Sequence, residues 1–266
     1  MNRNDFRQIP DGLWEQMARL IPVQPAKPSG GRPPIADRRV MGGIIFRLRT
    51  GCQWKAIPRQ FGSGSTCHRR FQAWSNAGVF RSLFAALVKL YDSTCGMDWP
   101  WASIDSATVK APKGGDCTGP NPTDRGKLGV KRHVITDGRG IPVAIGITAA
   151  NVHDKRLAEP MVDAVVIRHS RGPHRPVHLC LDKGYDFPDV AIALRRRRIQ
   201  PHIRKRGEKR RGCRSGKARR WVVARTNAWH NRFRALLVRW ETKASNYCAL
   251  VHLSCGLIAY QQSGLL

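Results

Sequence analysis

Acid is what this chain has least of. Asp and Glu together number 18 against 47 Lys and Arg, a formal net charge of +29 over 266 residues. That balance excludes a cationic partner and points to a polyanion, because counterion release from phosphates rewards such a surface. Long apolar runs are also missing. No stretch approaches the ~20 residues that span a bilayer, and Met1 to Arg7 lacks the apolar run of a signal peptide. The eight cysteines (52, 67, 95, 117, 180, 213, 248 and 255) contain no Cys-x-x-Cys spacing, which argues against structural zinc. Scattered thiols without an export signal read as reduced core residues of a cytoplasmic protein. Internal repeats are absent too. A membrane-surface protein would concentrate its charge on one amphipathic helix, and here the charge is spread through a chain rich in Trp, Gly and Pro. Ribosomal proteins share the charge but are usually shorter and poorer in Trp. Nucleic acid is the expected partner.

The length suits one large domain or two modest ones. The first ~95 residues read as helical. Asp11 can cap a helix through Leu13, Met17 and Leu20, and Asp37 a second through Val40, Met41, Ile44, Ile45 and Leu48, ended by Gly51. A short helix from Trp54, a Gly-Ser turn and a new cap at Ser65 or Thr66 follow. The next helix carries His68, Arg69, Arg70, Gln72 and Trp74. Two short helices about a glycine turn, the second rich in Arg, Gln and His, resemble a helix-turn-helix reader, although a helical bundle with a solvated basic face reads the same way. Phe80 to Tyr91 is a further helix.

Composition shifts at Ser93 to Asp98, the expected boundary between a helical domain, 1–95, and an α/β domain, 96–266. Strands are expected at Trp101–Ile104, Gly129–Thr136, Ile141–Thr148, Val177–Leu181 and Gln200–Arg204, with Asp137-Gly138 as the hairpin turn. Helices are expected at Lys155–Arg168, Pro188–Arg198, Trp221–Leu237 and Ala244–Tyr260. That order describes a ribonuclease-H-like mixed sheet with flanking helices, in which acids from the first and fourth strands and a later helix meet at one edge.

Two apolar strands end in a carboxylate: Trp-Ala-Ser-Ile-Asp at Asp105 and Val-His-Leu-Cys-Leu-Asp at Asp182. A carboxylate at the end of a buried strand is costly unless a cation neutralises it. Phosphodiester cleavage needs a water deprotonated near neutral pH and charge stabilised on both oxygens, which metal ions held by hard oxygen ligands provide. Asp105 and Asp182 are therefore the candidate Mg²⁺ or Mn²⁺ ligands, against the blander readings of a turn cap and of a partner for the Lys183–Tyr185 region. Asp154, Asp186 and Asp189 read as caps or turn residues, His153 as a structural hydrogen-bonder, Asp116 and Asp124 as solvated.

Gly31-Arg-Pro-Pro, the run from Arg47 to Pro58, Ser103-Ile-Asp-Ser, Leu181-Asp-Lys-Gly-Tyr-Asp and the run from Arg220 to Phe233 resemble the bacterial insertion-sequence-five family of transposases, over about Leu13 to Gln261. The resemblance implies an N-terminal DNA-binding helical region and a ribonuclease-H-like domain with an Asp-Asp-Glu metal triad. Asp105 matches its first acid and Asp182 its second. The family glutamate falls at Ala224, which cannot ligate a metal. An engineered inactivation fits better than gradual decay, because the flanking motif is otherwise intact. Glu241 as a substitute lies 241 − 224 = 17 residues on, about 25 Å along a helix, and reads better as a surface salt bridge near Arg239 or Lys243.

The expected DNA contacts are Arg47, Arg49, Trp54, Lys55, Arg59, Ser65, Thr66, His68, Arg69, Arg70 and Lys131, with Arg204, Lys205, Arg206, Arg220, Arg225, Asn231, Arg232 and Arg234. His230 and Trp229 are placed to stack on or support an unpaired base, with a core role equally open for Trp229. The run from Arg195 to Arg220, with 14 Lys or Arg and one acid, Glu208, is expected to follow the DNA backbone. The expected whole is a nucleoid-associated transposase that binds terminal inverted repeats as a homodimer or larger synaptic assembly and is cleavage-defective through Ala224. A DNA-binding protein without chemistry, such as a retired transposase acting as a repressor, is the main alternative, and an RNA-binding basic protein the second.

Overall fold

In a computed structural model, which describes residues 8–23, 33–167, 176–203 and 221–265, the run that begins at Trp101 and carries Ile104, Thr108 and Val109 forms a long strand. This strand, β1 (Trp101–Lys110), organises the sheet. It pairs antiparallel with β3 (Leu128–Asp137), which pairs antiparallel with β4 (Pro142–Ala149) and with the short β2 (Gly119–Pro120). On its other side β1 runs parallel to β5 (His178–Leu181), and β5 to β6 (Gln200–Ile203). Leaving out β2, the order is β4-β3-β1-β5-β6, three antiparallel strands followed by two parallel ones. This is the ribonuclease-H-like mixed sheet. The turn between β3 and β4 begins at the expected place but is longer than a two-residue Asp-Gly hairpin. The Asp137 carboxylate accepts from the backbone N–H of Arg139 (3.0 Å) and Ile141 (2.8 Å), and the positive φ falls on Gly140, at +87°, not on Gly138.

The N-terminal helices are α1 (Asp11–Ala18), α2 (Asp37–Thr50), α3 (Gly64–Asn76) and α4 (Val79–Cys95). Three expected caps are displaced. Pro10 and Ala36 precede α1 and α2, so Asp11 and Asp37 are first-turn residues, and Asp37 pairs with Arg70 at 2.6 Å. The cap of α3 is Ser63, whose hydroxyl accepts from Thr66 N–H at 3.1 Å, not Ser65 or Thr66. The helix expected from Trp54 is two 3₁₀ turns, Trp54–Ala56 and Arg59–Phe61, split by Pro58. Gly64 is required where the chain folds back: a β-carbon there would lie 1.8 Å from the Trp54 carbonyl oxygen.

Beyond β4, a 3₁₀ turn (Asp154–Leu157) and α5 (Ala158–Asp163) make a shorter crossover than the helix expected to Arg168, and α6 (Pro188–Arg196) links β5 to β6. The helix expected over 221–237 stops early: α7 is Trp221–His230, followed by a 3₁₀ turn, Arg234–Leu236. His230 is buried and bonded to Ser254 Oγ (3.0 Å), and i→i+3 bonds from Arg232 and Phe233 tighten the chain away from the helix axis. α8 (Ala244–Gln262) is apolar on all sides because all sides are covered, with α4 along one of them. Gly256 allows the approach, since a β-carbon would meet Leu87 Cδ1 at 3.1 Å. One hydrophobic core runs from Leu13 through β1, β3 and β4 to Tyr260. Among the described residues no helix is long and apolar enough to cross a membrane.

Buried titratable groups make this core acid-sensitive. Burial pushes His133 and His252 down to about 4 and His230 well below the ordinary imidazole range. The unfolded chain takes up those protons near 6.5, so stability is lost as pH falls from there towards 4. Asp137 acts oppositely. Burial pushes its carboxyl up to about 6 despite three backbone N–H donors, so it adds stability as pH falls through 6. Three histidines outweigh one carboxyl. Urea unfolding is expected to show a net loss of stability between pH 7 and pH 4.5, with a smaller loss in His133→Gln. A stability that rises on acidification would contradict the assignment.

Candidate catalytic site and nucleic-acid interface

β5 is an apolar run that stops at Leu181 because Asp182 turns the chain: its carboxylate accepts from Gly184 N–H at 2.8 Å and caps the 3₁₀ turn Lys183–Tyr185. The paired register of β1 and β5 ends at Ser103 opposite Cys180. Asp105 follows two residues further along β1 and Asp182 just past the end of β5, and both, with Asp154, act electrostatically on the Tyr185 phenol. The two acids expected to meet are thus carried to one place by parallel pairing. Asp105 is half-buried and accepts from Ser106 N–H at 2.9 Å.

The same place holds more than the sequence reading assigned to it. A β-carbon on Gly184 would lie 2.9 Å from Asp182 Oδ1 and 3.7 Å from Asp154 Oδ2, so Asp154 borders this turn. The cap of the preceding 3₁₀ turn is His153, whose Nδ1 accepts from Lys155 N–H (3.3 Å), not Asp154. Asp154 instead takes Lys131 Nζ at 3.0 Å, and Lys131 also donates to the Val152 carbonyl at 2.8 Å. Lys131, expected at the DNA, is therefore half-buried in an ion pair beside the acids. The phenol of Tyr185 is buried, its hydroxyl has no hydrogen-bond partner, and burial together with Asp154, Asp182 and Asp105 pushes its pKa up. Tyr185 stays protonated, a donor facing carboxylates.

Hard carboxylate oxygens from Asp105 and Asp182 suit a divalent ion such as Mg²⁺. Among the described residues no set of three His, Cys, Asp or Glu side chains is arranged to hold one. Asp105 and Asp182 are its two candidate carboxylates, with Asp154 beside them held by Lys131. Ala224 lies on α7 with its methyl group exposed, while Val222, Val223, Thr226 and His230 face inward. α7 is tied to the β3–β4 turn: Thr226 Oγ1 donates to the Gly140 carbonyl at 2.6 Å and Arg225 to that of Arg139. The Arg225 guanidinium lies over Trp221 (4.9 Å) and Trp229 (5.0 Å). It is half-buried and engaged, not extended as a phosphate grip. His230, placed at an unpaired base by the sequence, is in the core.

Burial divides the other basic residues. Arg47 is buried and paired with Glu241, which is itself buried and not a surface partner of Arg239 or Lys243. Arg239 is also buried and donates to the carbonyls of Glu241 and Thr242, both at 2.8 Å. Arg70 is buried against Asp37. Arg49 is half-buried over Phe233 (5.8 Å), and burial pushes it down to about 10. Trp54 lies between Arg47 (4.5 Å) and His68 (4.7 Å). Arg47 and Arg70 are thus held from within by Glu241 and Asp37, and Trp54 is half-buried against Arg47 and His68. Lys55, Arg59, Ser65 and Arg69 are exposed and Thr66 half-exposed. With Arg39, most of them rim a cleft of about 690 Å³ at the start of α3, a strongly cationic opening. Asn231, Arg232 and Arg234 are exposed beyond α7. Arg204, Lys205, Arg206 and Arg220 lie outside the described residues.

Residues 102–260 match the family described as "Transposase DDE domain", and residues 9–84 that described as "Putative transposase of IS4/5 family". The chain is 44% identical over 160 residues to the "Putative transposase for insertion sequence element IS402" of Burkholderia cepacia, covering 59% of this chain and 73% of that protein. It is 35% identical over 120 residues to the "Insertion element IS402 uncharacterized 16.2 kDa protein" of the same organism, 43% of this chain and 80% of that one. A superposition on the "Crystal structure of a pre-cleavage Mos1 transpososome" covers 97% of this chain and 89% of that one at 11% identity, with a TM-score of 0.28.

Proposed function

The chain belongs to the DDE-domain transposases of the IS4/5 group, and from that premise we propose that it binds the terminal inverted repeats of an insertion sequence as the recognition and catalytic subunit of transposition. The observation that carries the reading is that adjacent parallel strands, paired as far as Ser103 and Cys180, lead into Asp105 and Asp182 in a chain of net charge +29. Residues 1–95 would supply sequence recognition, with the N-terminal half of α3 and its cationic cleft against the duplex. Residues 96–266 would carry the chemistry. Both steps, water attack at the element ends and attack of the freed 3′-hydroxyl on target DNA, are phosphoryl displacements at one site. Two ends must be joined, so the working form is a homodimer or larger assembly on DNA in the bacterial cytoplasm.

Asp105 and Asp182 would hold Mg²⁺ or Mn²⁺, which supplies an activated water and stabilises the leaving oxygen when bound. The protein's own part is to orient. Gly184 N–H fixes one Asp182 oxygen, Ser106 N–H one Asp105 oxygen, and Lys131 keeps Asp154 neutralised. The buried Tyr185 hydroxyl, without a partner of its own, would be a donor available beside these carboxylates. With alanine where the family has glutamate, this form is cleavage-defective and binding-competent. The same alanine favours the second reading, a DNA-binding protein that has given up chemistry.

Binding is tested with a duplex carrying the element's end, a scrambled duplex and a structured RNA at one salt concentration. The end is expected to bind at least tenfold more tightly than the scrambled duplex, in the range that base-specific readout provides. Equal affinity for all three would sink the reading in favour of a non-specific basic protein. Asp182→Asn should leave this preference unchanged, since phosphate and base contacts lie elsewhere.

A further inference from the structure

We propose that the cleft between α3 and the segment leading into α8 holds one unpaired nucleotide of the bound DNA, its base on Trp240 and its phosphate among Lys55, Lys113 and Lys243. The proposal rests on the DNA-binding reading above and adds to it a site of defined chemistry.

The cleft measures about 710 Å³, within the range of small-ligand sites. Its charge is one-sided. Lys55, Lys113, Lys243 and Arg47 line it, and its one acid, Glu241, is already paired with Arg47 at the buried floor. Arg47 Nε and Nη1 have no hydrogen-bond partner, so the floor keeps unspent positive character. Such a lining selects an anion. The aromatic wall selects a ring as well. Trp240 is 49% exposed, unusual for so large an apolar side chain, with Lys113 Nζ 6.0 Å from its ring centroid. The other indole, Trp54, has its faces covered by Arg47 and His68, which leaves Trp240 as the open ring. Gln72 and Asn246 add amide donors and acceptors suited to a base edge. An anion bearing a planar ring with polar edges is a nucleotide. A paired base hides both faces in the stack, so only an unpaired one can use Trp240.

The position agrees. Val238 bridges to Lys110, and Arg239 N–H donates to the Lys110 carbonyl at 2.8 Å, so the segment carrying Trp240 extends from the end of the strand that bears Asp105. Five residues separate Asp105 from Lys110, ~17 Å at strand rise, about five base pairs of duplex. The cleft thus joins the basic rim of α3, with which it shares Lys55, to the strand that carries Asp105.

The test is titration of the full chain with two element-end duplexes, one fully paired and one carrying a single unpaired 2-aminopurine. The unpaired probe is expected to bind at least fivefold more tightly and to lose emission on binding. Trp240→Ala should abolish both effects while leaving affinity for the paired duplex within twofold, and Trp240→Phe should retain them. Equal thermal midpoints for the three proteins exclude a folding effect. A preference that survives intact in Trp240→Ala overturns the proposal, as does its absence from the unaltered chain while the paired duplex still binds. An acidic peptide displacing the probe only from chains that show no such preference would identify a protein-docking cleft instead. Failure of both duplexes to bind would sink the DNA-binding reading itself.

Discussion

Ala224→Glu is expected to raise Mg²⁺- or Mn²⁺-dependent cleavage of element-end DNA at least a hundredfold over the unaltered chain. A transition-state contribution of about 3 kcal/mol corresponds to that factor, and a metal ligand commonly supplies several. The structure makes the substitution easy to accommodate. The Ala224 methyl is exposed, glutamate is a good helix former, and the neighbouring contacts of α7 run through Thr226 and Arg225 to the β3–β4 turn, which the change does not touch.

A sign reversal accompanies this gain and separates ligation from a general effect on the helix. If a carboxylate at 224 reaches Asp105 and Asp182, three negative groups repel one another without metal and converge on it when it binds. Ala224→Glu should then melt at or below the unaltered chain in chelator and above it in millimolar Mn²⁺, while Ala224→Gln should show neither the shift nor the cleavage. Equal cleavage by the chain with alanine and with glutamate would remove position 224 from the metal site. Binding without cleavage in every variant would move the non-catalytic reading ahead.

The parts of this site that were legible in the sequence are those encoded locally. An apolar run ending in aspartate is a strand that delivers a carboxylate to a sheet edge, and this marked both Asp105 and Asp182. Their neighbourhood followed from element order, because a crossover connection makes β5 parallel to β1. α8 was legible for a similar reason, as an apolar helix long enough to need covering on every side. Caps were missed by one or two positions, at Ala36 in place of Asp37 and at Ser63 in place of Ser65, because several adjacent residues could serve and tertiary partners such as Arg70 decided. What the sequence hid was the use made of each charge. Arg47 and Arg69 look alike in a basic run, yet one is buried and the other exposed. Asp154 looked like a cap because Lys131, its partner, lies 23 residues earlier on β3. The burial of Tyr185 among acids depends on three segments at once and leaves no local pattern.

The Arg47–Glu241 pair is the contact the sequence could least reveal, and its disruption carries the largest expected loss of stability. The partners are 194 residues apart and join α2 to the segment between α7 and α8, both exposed over less than a tenth of their surface. Burial alone pushes Arg47 below the ordinary guanidinium range, and Glu241 opposes that shift. In Glu241→Ala the guanidinium keeps only the face of Trp54 at 4.5 Å and is otherwise an uncompensated buried charge, a change that typically costs about 3–5 kcal/mol. Glu241→Gln, which retains an acceptor, should cost less. The decisive variant is the double one, Arg47→Met with Glu241→Leu. It removes both charges, and because desolvating a pair offsets most of its mutual attraction, it should lie within about 1–2 kcal/mol of the unaltered chain. Urea unfolding of the four proteins gives the cycle directly. A double variant as unstable as Glu241→Ala would mean that the pair stabilises by its own attraction, and that the register of α2 against the catalytic sheet depends on that one contact. A single variant costing under 1 kcal/mol would mean that water reaches Arg47, and the unspent guanidinium beneath the Trp240 cleft would then be open to a ligand's phosphate.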